Sequence, residues 1–182
     1  MIFPIVAYGS AILRKKTKEI EENSDELQEL LVNMFETMEG SNGIGLAAPQ
    51  IGKDLRLFIV DADGIEEPGC EGFRKVFINA RITEETGNPW NFEEGCLSIP
   101  HVRGDVMRKP DVTIRYRDEN WVEHTETFTG MPARIIQHEY DHIEGILFID
   151  RLHALKRTML KGKLQKISNG NIRTDYKMKF PK

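Results

Sequence analysis

Apolar residues recur at three- and four-residue steps between Ser24 and Glu39: Leu27, Leu30, Leu31, Met34, Phe35 and Met38. That spacing lays one apolar stripe along a helix. Asn23, with Glu26 three positions later, supplies a start, and Gly40 and Gly43 supply a stop. After it the period shortens. Leu55–Val60 and Val76–Ile82 are expected as strands, and Val112–Arg117 as one arm of a hairpin. The hairpin turns at Asp118, Glu119 and Asn120 and returns through Trp121–Phe128, where Trp121, Glu123, Thr125 and Thr127 alternate with Val122, His124, Glu126 and Phe128. Such mixed alternation suits a partly exposed strand. Pro132 fits the first turn of a second helix, ARIIQHEYDHIEG, which Gly145 closes. The next five residues, ILFID, read as a short buried strand, and residues 152–166 as a third helix despite Gly162. No period stands out beyond Ser168.

The order helix, strands, helix, without regular alternation, predicts an α+β fold rather than a doubly wound one. A length of 182 residues fits a single domain. Apolar residues at 40% and charged residues at 30% describe a soluble chain and exclude collagen-like or disordered classes. The longest apolar runs, such as Ile143–Ile149, are broken by Glu144 and Gly145 and fall short of the ~20 residues of a membrane span. At the N-terminus the basic residues follow the apolar stretch, the reverse of a secretory signal, so a cytoplasmic location is expected. Cys70 and Cys96 are then expected as reduced thiols. Charge divides the chain. Residues 151–182 carry ten Lys and Arg against Asp175 alone, so this end is +9 and the remainder −13. The expected organisation is a catalytic domain over 1–166 and a basic C-terminal tail over 167–182. The tail is either solvated or a contact for a polyanion.

The second helix carries the candidate chemistry. In His138-Glu139-Tyr140-Asp141-His142 the two histidines are four residues apart, so both imidazoles lie on one helix face and can reach one metal ion. Glu139 would then stand beside a metal-bound water and take its proton. A third ligand is needed. Phe148 occupies the place where one class of zinc peptidase has its third histidine, and no glutamate follows Glu144. Asp150 and Asp175 remain downstream. Upstream, Cys96 is the strongest candidate and Cys70, in a turn-rich loop, a weaker one.

Three segments, in order, resemble the motifs of the peptide deformylases: Gly43-Ile44-Gly45-Leu46-Ala47-Ala48-Pro49-Gln50, Glu94-Gly95-Cys96-Leu97-Ser98 and Gln137-His138-Glu139-Tyr140-Asp141-His142. The likeness covers about residues 1–155, with Ile143 standing where leucine is usual. It implies an α+β fold whose mixed and antiparallel sheets surround the HExxH helix. The implied activity is hydrolysis of the N-formyl group of N-terminal formyl-methionine on nascent polypeptides, releasing formate. It also implies one divalent metal ion, natively ferrous iron, bound by Cys96, His138 and His142; zinc suits the same donors. Glu139 is the implied acid/base, and Gln50 with the Leu97 backbone N–H the implied oxyanion donors. Gly43, Ile44, Gly45, Gly95 and Ile135 are implied to line the substrate groove, with Arg103 near the peptide path. Gln137 and Asp141 are expected to steady the site, and His101, His124 and His153 have no assigned role. Expected partners are formyl-methionyl peptides and nascent chains, with the ribosome as a contact for the basic tail and no membrane. The alternative is an HExxH metallopeptidase cleaving internal peptide bonds.

Overall fold

A computed structural model describes residues 1–181 of the chain; Lys182, the last residue of the expected basic tail, lies outside the described residues. Strands β1 (Ile5–Val6), β2 (Gly45–Ala47), β3 (Leu57–Asp61), β4 (Arg74–Thr86), β5 (Trp90–Cys96), β6 (Ile99–Arg108), β7 (Asp111–Arg117), β8 (Glu123–Thr129) and β9 (Met178–Lys179) form three sheets. The largest has the order β2-β3-β4-β7-β8, every pair antiparallel. β5 and β6 form an antiparallel hairpin, and β1 pairs with β9 in parallel. Three helices complete the α+β fold: α1 (Asp25–Gly40), α2 (Gly130–Ile143) and α3 (Ala154–Ser168).

β3 shows how the layers form. Its run LFIV is buried on both faces: Leu57 and Ile59 join Leu27, Leu31, Met34 and Met38 of α1, while Phe58 and Val60 join Ala133, Ile135, Ile136 and Ile143 of α2. A period of two thus distributes one strand between two helices. Each side chain fully buried there contributes roughly 1.5–3 kcal/mol relative to exposure. A third cluster gathers Val102 and Val106 of β6, Phe148, and Leu160, Leu164 and Ile167 of α3.

Several expectations shift. Ser24, not Asn23, caps α1, its Oγ accepting from Leu27 N at 3.2 Å; Asn23 instead accepts from the Gln28 side chain. ILFID is not a strand. Phe148–Arg151 is a 3₁₀ turn, because the Asp150 carboxylate accepts from Leu147 N at 2.8 Å and closes the backbone on itself. The return arm of the β7–β8 hairpin begins at Glu123, since Asp118 accepts from the N–H groups of Asn120 and Val122 and holds Trp121 in a turn at φ +68°. β5 and β6 were not anticipated, nor was β9 in the stretch after Ser168.

Candidate metal centre

α2 sends its apolar residues to the large sheet and turns His138 and His142 the other way, toward the end of β5. Cys96 is the last residue of that strand. One ligand atom each from Cys96, His138 and His142 lies within 4.8 Å of the others, and among the described residues no other group of three such side chains converges. Cys96 Sγ is 3.3 Å from His142 Nε2. Two ligands of a tetrahedral ion, at about 2.3 Å for sulfur and about 2.1 Å for nitrogen, stand roughly 3.6 Å apart. The donor set therefore fits a transition metal. Two buried atoms beside it have no hydrogen-bond partner, His142 Nδ1 and Glu139 Oε2.

The electrostatics separate the two histidines. His138 donates from Nδ1 to Glu94 Oε2 at 2.9 Å, which leaves its Nε2 for the centre. Burial lowers its pKa, but its bonds to Cys96 and Glu94 outweigh that and raise it well above the ordinary value. His142 is lowered by burial, and His138 and Arg108 add repulsion, so it stays neutral with a lone pair to offer. Glu139 is 4% exposed. Burial pushes its carboxyl up to about 7, with His138 opposing the rise.

A buried ion network braces this arrangement. Arg108 grips Glu94 with two bonds, at 2.7 and 3.0 Å, and reaches Asp141 Oδ2 at 2.8 Å. Arg134 donates to Glu94 Oε1 at 3.0 Å, and Arg151 holds both oxygens of Asp141 at 2.6 Å. Burial alone would raise the Glu94 carboxyl, but His138 and Arg108 hold it well below the carboxylate range. Glu94, Arg108 and Arg134 were given no role from sequence. Position 94 did carry a signal: on a strand it shares a face with Cys96, two residues on.

The other anticipated residues fall around a groove of about 460 Å³ that reaches Cys96, His138 and Glu139. Gln50 accepts from Ala47 N at 2.8 Å through Oε1, which turns its amide NH₂ to Cys96 Sγ at 3.5 Å. Leu97, Gly43, Ile44, Gly45, Gly95 and Ile135 line the groove, and Ile44 is 46% exposed. The two glycines make room for the site's own side chains. A Cβ on Gly45 would lie 2.5 Å from Glu139 Oε1, and one on Gly43 would lie 2.9 Å from Leu97 Cδ1. Arg103 lies along the groove over Gly95. Gln137 donates to Lys109 O and Ala133 O, tying α2 to the chain before β7.

The residues kept open as ligands part company. Cys70 is buried among the side chains between α2 and the sheet, and Asp150 pairs with Arg14. Asp175 lines the groove but is not in the converging triad. His124 pairs with Asp118, His153 accepts from Leu155 N at the start of α3, and His101 donates to Arg173 O at 2.8 Å. Thr174 and Tyr176 also border the groove, and sequence reasoning missed both.

Residues 2–158 match the family model described as polypeptide deformylase. The chain is 54% identical to a peptide deformylase of Christiangramia forsetii, aligned over 100% of this chain and 97% of that one. It is 52% identical to one of Cytophaga hutchinsonii, over 100% and 98%. Its fold superposes on the crystal structure of a peptide deformylase from Legionella pneumophila with a TM-score of 0.83 at 37% identity, covering 96% of this chain and 99% of that one. A second match is Arabidopsis thaliana peptide deformylase 1B in complex with an inhibitor, at a TM-score of 0.84 and 37% identity, covering 93% and 92%.

Proposed function

The chain belongs to the polypeptide deformylase family, and from that premise we propose that its groove takes the N-terminal formyl-methionine of nascent polypeptides and hydrolyses the formamide bond, releasing formate. One observation carries the reading at the level of chemistry: a thiol and two imidazoles converge beside a buried carboxylate that has an unpartnered oxygen. A metallopeptidase acting on internal bonds is not favoured, because the deformylase match spans nearly the whole chain.

In this reading Cys96, His138 and His142 hold one divalent ion, proposed as ferrous iron; zinc suits the same donors. When bound, the ion supplies Lewis acidity, which activates water near neutral pH and polarises the formyl oxygen. Glu139 takes a proton from the attacking water and returns it to the amine nitrogen as the C–N bond breaks. A carboxyl lifted to about 7 is suited to both halves of that exchange. Charge developing on the formyl oxygen falls to two donors, the Gln50 amide and the Leu97 N–H, each worth roughly 3–4 kcal/mol by analogy with other oxyanion sites. Gln50 is preorganised for this by its bond to Ala47 N.

β2 is an edge strand of the large sheet, so one side of its backbone is open to an added peptide strand. Gly43, Ile44, Gly45 and Gly95 would border that peptide, and Ile44, Leu97 and Ile135 would receive the methionine side chain. Residues 1–166 carry the proposed ligands, the acid/base and the oxyanion donors, and residues 167–182 are a basic segment joined to them that borders the groove through Thr174, Asp175 and Tyr176. The exposed Lys156, Arg157, Lys161, Lys163 and Lys166 of α3 support a ribosome contact by this end of the chain. Among the described residues no helix is long and apolar enough to cross a membrane, and the proposed location is the cytoplasm.

The test compares two short peptides with the iron-loaded protein, one formyl-methionyl and one acetyl-methionyl. Formate from the first with little hydrolysis of the second is expected. No formate from the first would overturn the proposal.

A further inference from the structure

Residues after α3 alternate, with Ile172, Thr174, Tyr176, Met178 and Phe180 partly buried and Arg173, Asp175, Lys177 and Lys179 exposed. In that row Tyr176 reaches the groove, and its hydroxyl donates to Leu97 O at 2.8 Å. Leu97 and Ser98 are the two turn residues that join β5 to β6. The second carbonyl of the turn is held as well, Ser98 O accepting from Tyr8 N at 2.9 Å. Both holders come from one ribbon. Tyr8 follows β1 and Tyr176 precedes β9, and Ile5 N donates to Lys177 O while Ala7 N donates to Lys179 O.

A two-residue turn has few backbone torsions, so pinning both its carbonyls fixes the two peptide planes after Leu97 and leaves the Leu97 N–H, in the plane before them, only the φ and ψ of Leu97 to turn on. The Leu97 N–H shares its Cα with the carbonyl that Tyr176 holds. Its direction is therefore set partly by that hydroxyl. The segment carrying Tyr176 is itself steadied, by Thr174 Oγ1 donating to Tyr176 O at 2.7 Å and by His101 donating to Arg173 O.

We infer that Tyr176 is a positioning residue, whose hydroxyl holds the β5–β6 turn so that the Leu97 N–H faces the reacting formyl oxygen. The role given to Leu97 rests on the deformylase reading; the clamp on its carbonyl rests on geometry alone. The C-terminal segment thus becomes part of the site it borders.

The test uses the full chain, loaded with iron, as wild type, Tyr176→Phe and Tyr176→Leu. Phenylalanine keeps the ring among its apolar neighbours and removes only the hydroxyl. It should lower kcat roughly tenfold, the equivalent of ~1.4 kcal/mol, with KM and bound iron within about twofold of wild type. Amide hydrogen exchange at Leu97 should speed up in the same variant. A purely structural role would lower Tm and leave both kcat of the folded enzyme and Leu97 exchange unmoved. Full kcat in Tyr176→Phe with loss only in Tyr176→Leu would overturn the inference, assigning the effect to the ring. Unchanged Leu97 exchange in Tyr176→Phe would overturn it whatever the rate. If wild type releases no formate, the deformylase reading fails by itself, and Leu97 exchange still decides the clamp.

Discussion

Replacing Gly45 by alanine adds one carbon next to the carboxylate assigned to proton transfer. The new Cβ would meet Glu139 Oε1 at 2.5 Å and its Cγ and Cδ at 2.8 Å. Carbon contacts settle at roughly 3.5–4.0 Å, so the strand or the carboxylate has to give by about 0.7–1.2 Å. β2 is held by its pairing with β3, where Gly45 faces Val60, and α2 is packed on the same sheet. The carboxylate, with one unpartnered oxygen, is the part free to move. A displacement near 1 Å at a reacting group can cost ~10²-fold in rate, and overpacking of this kind costs about 1–3 kcal/mol in stability. The assay is formate release by iron-loaded Gly45→Ala, read as kcat and KM together with bound iron and Tm. The expected result is a kcat lower by about two orders of magnitude with iron content retained, since no ligand atom is displaced. Gly162→Ala is the control, because nothing lies within 4 Å of its Cβ and alanine favours a helix interior by ~1 kcal/mol. Full activity in a folded, iron-loaded Gly45→Ala would refute the placement of Glu139 at the reacting centre.

Cys96→Ser should lose bound metal and formate release while the fold persists; undiminished metal in this variant would remove Cys96 from the ligand set. Glu94→Gln should leave the buried guanidinium groups of Arg108 and Arg134 undercompensated, a cost of about 3–5 kcal/mol that appears as a drop in Tm of about 6–20 °C. Calorimetry showing no drop would mean the network does not brace the site. Alkaline unfolding tests Tyr116, which burial and its bond to Glu126 raise well above the ordinary phenol value, with Lys75 and His124 at its sides. A raised pKa favours the protonated native form, so this stability is complete below pH ~10 and declines above it as the unfolded phenol ionises, at up to about 1.4 kcal/mol per pH unit. Urea titrations from pH 9 to 11 should show a shallower decline in Tyr116→Phe, and identical slopes would contradict the assignment.

What could be read from sequence was what local spacing encodes. The α1 stripe and the paired histidines of α2 rest on three- and four-residue steps, and the structure keeps both. Strand β6 was hidden because its inward row, Val102, Gly104, Val106 and Arg108, mixes apolar residues with a glycine and an arginine. Arg108 points inward because Glu94 and Asp141 await it there, which only the folded chain makes apparent. Cys96 is far from His138 in sequence, so no spacing rule joins them; the need for a third ligand made it the strongest upstream candidate, and the motif resemblance implied it as the ligand. The C-terminal alternation was masked by Thr174 within the inward row and by lysines on either side of Met178. Its partner strand, β1, is only two residues long and lies at the other end of the chain.

The most direct test of the central claim is formate release from a formyl-methionyl peptide by anaerobically iron-loaded wild type and Glu139→Gln, with metal content measured on the same samples. The account expects turnover in wild type and a loss of ~10²-fold or more in the variant at equal metal occupancy. Equal rates in the two proteins, or no formate from metal-loaded wild type, would contradict it.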